Sequence, residues 1–155
     1  YGDHRDLHSF PTRRSSDLLH PNDTVNKNRI IGEGLPAGMI DASSYDDMQE
    51  LLCATDTLVT DYSSTLGEML IMEKKCFIYA YDYEEYLKDR GLLMDFKELP
   101  FPFALTEKEL LRSIKDFSAS DYVKKVRDFK KEHNIYETGH ASQDIGNRIL
   151  LEMKK

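Results

Sequence analysis

Residues 57–68 bring small hydroxyl side chains to the junction between a strand and a helix. The apolar run Thr57–Thr60 predicts a short buried strand, and Ser63 and Ser64 open the amphipathic helix that follows it. The start of a helix offers free backbone N–H groups and a positive dipole end, which suit a phosphate, and the two serine hydroxyls add donors. This junction therefore predicts a phosphate or diphosphate site at Ser63 and Ser64.

Two carboxylates accompany the serine pair. Asp61 belongs to the same turn, and Glu68 follows Ser64 by four residues, which places it one helical turn deeper on the same face. A carboxylate at that position accepts hydrogen bonds from sugar hydroxyls while the helix start holds the phosphates. The alternative is that the serines only cap the helix and that Glu68 is solvated.

His20 is the candidate catalytic residue outside this segment. It ends a predicted strand, and Pro21 directs the exit of the chain. An imidazole at the carboxyl edge of a sheet donates to a phosphate or exchanges a proton near neutral pH. The alternative is an ordinary surface histidine. His133, near a helix end, is interpreted as structural, and His140 faces either solvent or the site.

Strand-like and helix-like segments alternate from residue 19 onward, which predicts an α/β fold with a parallel sheet and right-handed crossovers. In such a sheet, ligands bind at the carboxyl ends of the strands, where His20 and the serine pair are expected. The predicted strands are residues 18–20, 29–32, 57–60 and 76–81. Six helices are predicted. The first runs from Ser43 or Ser44 to Leu52, and the second from Ser63 or Ser64 to Lys74. The other four cover residues 83–89, 106–117, 121–132 and 142–153.

The composition argues against several classes of protein. The chain has 155 residues and a formal net charge of −7, which argues against general nucleic-acid binding. No apolar run approaches the roughly 18 residues of a membrane span. Cys53 and Cys76 lie in apolar segments, so we expect both to be buried free thiols. Neither has metal-ligand spacing, so we expect no metal site. We also expect no cofactor. The sequence contains no glycine-rich phosphate loop and no nucleophile elbow.

Residues 1–18 differ in character from the rest of the chain. They show neither a helical nor a strand period, and their back-translation with permitted codons resembles a common short-read sequencing adapter along the whole stretch. We expect this segment to be non-native, so its histidines and arginines are left out of the functional argument. Residues 19–155 are then expected to form an incomplete C-terminal domain of a longer protein.

Several motifs follow one another in order along residues 19–151. They are His20-Pro21, TDYSS at residues 60–64 with Glu68, Tyr81-Asp82, Glu85-Tyr86 with Arg90-Gly91, LPFP at residues 99–102, and Gly139-His140-Ala141-Ser142. This ordered set resembles the CDP-glycerol glycerophosphotransferase family of teichoic-acid synthesis. Four positions depart from the usual pattern of that family: Glu68 stands for a common Asp, Cys76 for a frequent Pro, and Thr138 and Asp144 for other residues near the last motif.

The resemblance implies a Rossmann-like parallel sheet with flanking helices, which is the donor-binding C-terminal domain of a GT-B fold. It implies that Ser63 and Ser64 meet the pyrophosphate of CDP-glycerol, that Glu68 meets a hydroxyl-bearing part of this donor, and that His20 lies at the reacting phosphate. It further implies transfer of glycerol phosphate to a hydroxyl of a lipid-linked polyol-phosphate acceptor with release of CMP, in the cytoplasm at the inner face of the membrane. CDP-ribitol is the alternative donor.

The resemblance also implies that the acceptor side and the general base lie in an absent N-terminal half. We therefore expect this chain to bind donor but to be inactive alone. Two other functions stay open: a nucleotide-sugar glycosyltransferase whose terminal domain has similar geometry, and a non-catalytic α/β binding domain.

Overall fold

The computed structural model of the protein describes residues 15–17, 39–91 and 94–154. The chain divides into two compact units, Tyr1–Thr55 and Asp56–Lys155. The strands are β1 (Ser15–Asp17), β2 (Met39–Asp41), β3 (Thr57–Thr60), β4 (Lys75–Tyr79) and β5 (Phe103–Ala104). The helices are α1 (Met48–Ala54), α2 (Thr65–Ile71), α3 (Tyr83–Asp89), α4 (Glu107–Lys115), α5 (Ala119–Glu132) and α6 (Ala141–Glu152), with a 3₁₀ turn at Phe96–Glu98.

In the first unit, β1 and β2 pair in parallel, with Ser15 opposite Met39. Strand β1 lies inside residues 1–18, where the sequence shows no strand period; backbone pairing forms it, because every residue other than proline carries the required N–H and C=O groups. The predicted strands at residues 18–20 and 29–32 lie outside the described residues.

Helix α1 begins later than predicted, because Asp47 caps it rather than Ser43 or Ser44. The Asp47 carboxylate accepts hydrogen bonds from the backbone N of Gln49 at 2.8 Å and of Glu50 at 3.0 Å. Those two N–H groups have no carbonyl partner within the helix, so an acidic side chain there satisfies both and also suits the positive end of the dipole.

The second unit contains a three-stranded parallel sheet in the order β3-β4-β5, and this confirms the predicted α/β class. Strand β4 is central and carries the buried residues Cys76, Phe77 and Ile78. Strand β3 has the predicted bounds, but it alternates between exposed and half-buried residues, so the prediction of a buried strand is wrong. It borders only β4 in the described sheet, whereas β4 has a neighbour on each side.

Helix α5 is fastened to the central strand through Tyr122. The Tyr122 hydroxyl donates to the carbonyl of Lys74 at 2.6 Å and accepts from the backbone N of Cys76 at 3.0 Å. Cys76 and Val126 are fully buried beside this contact. Burial raises the pKa of the Cys76 thiol to about 12, so it is an inert core residue.

The prediction that the other cysteine, Cys53, is buried is wrong, because its side chain is exposed. It follows the buried residues Leu51 and Leu52 on α1. Successive helical residues point in directions about 100° apart, so an apolar segment still places one of its residues on the solvent face.

Helix α2 ends at Ile71, three residues before the predicted end at Lys74. Glu73 adopts a left-handed conformation with φ of 55°, which stops the helix. Its carboxylate accepts from Arg127 Nε at 2.8 Å and Lys130 Nζ at 3.1 Å, both on α5. The end of α2 is therefore fastened to α5.

Candidate functional site

The carboxyl ends of β3, β4 and β5 meet at one edge of the sheet, because the three strands are parallel. Residues 61–64 follow β3, residues 80–82 follow β4, and Leu105 follows β5. A cleft of about 440 Å³ opens at this edge. None of Asp61, Ser63, Ser64 and Glu68 lines this cleft. The cleft is lined by Tyr81, Asp82, Tyr83, Glu84, Glu85 and Leu105.

The two serines differ in what their hydroxyls do. Ser63 is half-buried, and its Oγ accepts from the backbone N of Thr65 at 3.3 Å and from Thr65 Oγ1 at 2.9 Å. Ser64 occupies the N-cap position of α2, is exposed, and makes no capping hydrogen bond with its side chain. Ser63 thus shapes the turn, while the exposed hydroxyl of Ser64 is not used to cap the helix.

Glu68 on α2 is half-buried, and one of its oxygens, Oε2, is buried without a hydrogen-bond partner among the described residues. A buried polar atom without a partner costs about 1–3 kcal/mol, so native proteins rarely retain one without a reason. This environment differs from a solvated carboxylate on a helix surface. It leaves an acceptor of the kind that a ligand hydroxyl satisfies.

Asp61 is exposed, and its Oδ1 accepts from the backbone N of Tyr62 at 2.7 Å. The carboxylate therefore supports the turn that leads from β3 to the serines. Asp61, Ser63 and Ser64 lie on the connection between β3 and α2, and Glu68 lies in α2 itself. Their role in binding a ligand stays a prediction.

Tyr62 is the residue of this connection that the sequence analysis missed. Its hydroxyl donates to Asp82 Oδ1 at 2.8 Å, and its ring stacks on that of Tyr86 with centroids 3.7 Å apart. Tyr83 makes a similar bond in the same aromatic cluster, to Asp95 Oδ1 at 2.5 Å. The sequence did contain a signal for this bond. Tyr62 follows β3 and Asp82 follows β4, so the two residues lie at equivalent ends of neighbouring strands.

The electrostatics of this cluster keep both phenols protonated. Burial, followed by the hydrogen bond to Asp82, raises the pKa of Tyr62 well above 10.0. Burial and the bond to Asp95 raise the pKa of Tyr83 to about 12. Both hydroxyls therefore act as hydrogen-bond donors at neutral pH.

A sequence model of the CDP-Glycerol:Poly(glycerophosphate) glycerophosphotransferase family matches residues 19–151. The chain belongs to this family. The matched region contains the serine pair, Glu68 and Tyr62, and it begins directly after residues 1–18.

Curated relatives of the family agree with this assignment. A "Teichoic acid glycerol-phosphate transferase" of Staphylococcus aureus is 36% identical over 114 residues, which is 71% of this chain and 29% of that protein. A "Teichoic acid poly(glycerol phosphate) polymerase" of Staphylococcus epidermidis is 34% identical over 120 residues, 75% of this chain and 17% of that protein. A "Teichoic acid poly(ribitol-phosphate) polymerase" of Bacillus spizizenii is 35% identical over 77 residues, 49% of this chain and 12% of that protein. The chain thus spans less than a third of these relatives.

Solved structures of the wall teichoic acid polymerase TagF have the same fold. One has a TM-score of 0.64 at 24% identity and covers 94% of this chain and 45% of that chain. A variant of TagF soaked with CDPG has a TM-score of 0.62 at 26% identity, covering 94% of this chain and 44% of that chain. This likeness confirms the predicted Rossmann-like sheet of a GT-B type fold.

His20, the predicted catalytic residue, lies outside the described residues, so its proximity to the serine pair stays a prediction. His133 ends α5, and its ring stacks on Phe129 with centroids 4.0 Å apart, in keeping with a structural role. His140 is exposed at the start of α6. Within residues 15–17, 39–91 and 94–154, no cluster of His, Cys, Asp and Glu is suited to a metal ion, and no helix has the length and apolarity to cross a membrane.

Proposed function

We propose that this chain supplies the donor-binding part of a transferase that moves glycerol phosphate from CDP-glycerol to a hydroxyl of a lipid-linked teichoic-acid acceptor. The observation that carries the proposal is the family match over residues 19–151, which includes Ser63, Ser64 and Glu68 at the carboxyl edge of a parallel sheet. The names of the relatives and the TagF variant soaked with CDPG support the same chemistry.

The Ser63 and Ser64 hydroxyls bind the diphosphate of the donor. The first backbone N–H groups of α2 do not take part, because those of Thr65, Leu66 and Gly67 already donate to Ser63 and Ser64. This arrangement places two hydroxyl donors against the phosphate oxygens. Glu68 accepts a hydrogen bond from a hydroxyl of the donor, which satisfies its buried oxygen. Asp61 keeps the turn between β3 and the serines in shape through its bond to the backbone of Tyr62.

The reaction is an attack of an acceptor hydroxyl oxygen on the β-phosphorus of CDP-glycerol. A new P–O bond forms, the bond between the β-phosphorus and the bridging oxygen breaks, and CMP leaves with the electron pair. The proton of the acceptor hydroxyl passes to a general base. His20 stabilises the charge that develops on the phosphoryl oxygens, and such preorganised stabilisation is a large part of phosphoryl-transfer catalysis.

The acceptor and the place of action follow from the family resemblance. We propose that the acceptor is a lipid-linked polyol phosphate bound by a part of the enzyme outside this chain, at the inner face of the membrane. Because the chain spans less than a third of its curated relatives, we expect it to bind donor without transferring glycerol phosphate. Measurable transfer by the chain alone would contradict that expectation.

CDP-ribitol is a second candidate donor, since one relative is a poly(ribitol-phosphate) polymerase. Calorimetric titration of the chain with CDP-glycerol, CDP-ribitol, a UDP-sugar and a GDP-sugar separates the candidates. The proposal predicts saturable binding of CDP-glycerol and much weaker binding of the two nucleotide sugars. Stronger binding of a nucleotide sugar would instead favour a glycosyltransferase.

The serine pair is tested in the same titration. Ser63→Ala/Ser64→Ala removes two hydroxyl donors to a charged group, and we expect the affinity for CDP-glycerol to fall about 100-fold. Ser113→Ala/Ser120→Ala, on α4 and α5, is the matched control and should bind as the unsubstituted chain does. Unchanged affinity in the first variant would favour a non-catalytic α/β binding domain.

A further inference from the structure

Tyr62 connects the loop that carries the serine pair to the end of the neighbouring strand. It precedes Ser63 in the connection from β3 to α2, and its hydroxyl donates to Asp82 Oδ1, just beyond β4, at 2.8 Å. Its ring stacks on that of Tyr86 with centroids 3.7 Å and planes 18° apart. A hydrogen bond and a ring stack therefore fasten the residue beside Ser63 to the exit of β4 and to α3.

Asp82 makes this bond instead of capping its own helix. It occupies the N-cap position of α3, yet its side chain makes no capping hydrogen bond. Asp47 and Asp95, at the equivalent positions of α1 and the 3₁₀ turn, both accept from backbone N–H groups. An aspartate at an N-cap normally stabilises the helix start in this way. The carboxylate of Asp82 thus joins two loops of the sheet edge.

We propose that Tyr62 and Asp82 are positioning residues that hold Ser63 and Ser64 in place for the donor diphosphate, an inference that rests on the proposed function. A binding loop that is ordered beforehand does not lose conformational freedom when the ligand arrives, so affinity rises. A site for a diphosphate also needs its donors held closely in their productive geometry by surrounding residues. The bond between Tyr62 and Asp82 supplies that support from the neighbouring strand.

Calorimetric titration of the full chain with CDP-glycerol tests the role of Tyr62. Tyr62→Phe keeps the ring stack and removes the hydroxyl, and we expect it to weaken donor binding about tenfold. Tyr45→Phe is the matched control, because it removes a similar bond from a tyrosine hydroxyl to a carboxylate, that of Glu50 at 3.1 Å, and Tyr45 does not line the cleft. The control should leave the affinity unchanged. Equal losses of affinity in both variants would overturn the proposal.

The role of Asp82 is tested by removal and by rescue. Asp82→Ala should weaken binding as much as Tyr62→Phe, whereas Asp82→Asn keeps an oxygen that accepts from Tyr62 and should restore the affinity to within about twofold. A purely structural effect of the substitution would not follow this pattern. If Asp82→Asn loses as much affinity as Asp82→Ala, the hydrogen bond is not the cause and the proposal fails.

Amide hydrogen exchange separates a failure of this inference from a failure of the proposed function. If the unsubstituted chain does not bind CDP-glycerol, the proposed donor is wrong, but the amides of residues 63–66 still report how firmly the loop is held. We expect Tyr62→Phe to speed their exchange about tenfold, and the control Tyr45→Phe to leave it unchanged. Unchanged exchange in Tyr62→Phe overturns the positioning role for any donor.

Discussion

We propose that Glu68 combines a cost to stability with a role in donor binding. Its Oε2 atom is buried and has no hydrogen-bond partner among the described residues. A binding site often retains a group of this kind, because the ligand supplies the missing partner and the free protein bears the cost. We therefore expect a substitution of Glu68 that removes its charge to weaken donor binding without lowering the free energy of unfolding.

Glu68→Gln is predicted to lower the affinity for CDP-glycerol about tenfold, because a charged acceptor becomes a neutral one. The free energy of unfolding should stay the same or rise, because a neutral amide costs less to bury than a carboxylate. Calorimetry and urea denaturation measure the two effects. A loss of stability together with unchanged affinity would assign Glu68 to the core instead of the site.

At the scale of elements, the end of α2 depends on an ion-pair cluster with α5. Hydrogen bonds from Arg127 and then Lys130 hold the pKa of Glu73 below its ordinary value of 4.5. Lys130 Nζ also donates to the carbonyl of Ile71 at 3.2 Å, which satisfies a free acceptor at the helix end. The cluster thus fixes the end of the helix whose start carries the serine pair.

Glu73→Gln is predicted to lower the free energy of unfolding by about 1 kcal/mol at pH 7. Because the pKa of Glu73 is depressed by folding, its contribution is present above 4.5 and is lost as the pH falls through the lower value of the folded protein. The difference between the two proteins should therefore shrink as the pH falls below 4.5. Urea denaturation across this range measures it, and a difference that does not change with pH would contradict the ion-pair account.

Tyr122 joins α5 to the sheet. Tyr122→Phe keeps the ring but removes the hydroxyl that bonds to the buried N–H of Cys76 and to the carbonyl of Lys74. We expect a loss of about 1–3 kcal/mol in the free energy of unfolding, measured by urea denaturation. Tyr136→Phe is the control, because Tyr136 is 74% exposed and should have no effect. A variant as stable as the unsubstituted chain would show that the two bonds contribute nothing.

Local sequence signals predicted the helices and strands well, but their caps and the contacts between their loops less well. A short apolar run identified β3, and the alternation of strand-like and helix-like segments identified the α/β class. The helical spacing of Leu66, Met69 and Leu70 identified α2, because these residues form its buried face. The spacing of apolar residues did not choose between Ser43 or Ser44 and Asp47 as the cap of α1, since these residue types rank almost equally as caps. Nor did it show the bond between Tyr62 and Asp82, which depends on how two strands align in the sheet.

At the scale of the whole molecule, the chain carries a segment that we propose to be foreign to its function. The family match covers residues 19–151 and begins directly after residues 1–18. Within that segment, Ser15–Asp17 forms a strand that pairs in parallel with Met39–Asp41. Such pairing is made by backbone hydrogen bonds.

Deletion of residues 1–18 is predicted to leave the affinity for CDP-glycerol within about twofold of that of the full chain, because a foreign segment contributes nothing to the site. Calorimetry on the two chains measures this, with circular dichroism as the control for folding. A deletion that folds normally but no longer binds the donor would show that the segment belongs to the functional protein.

A crystal structure of the chain with bound CDP-glycerol tests the central claim most directly. The account predicts that the diphosphate lies at the carboxyl edge of the sheet, with phosphate oxygens within about 3.2 Å of the Ser63 and Ser64 donors and the His20 imidazole at the β-phosphate. A nucleotide bound elsewhere on the chain, or an imidazole far from the phosphates, would contradict it.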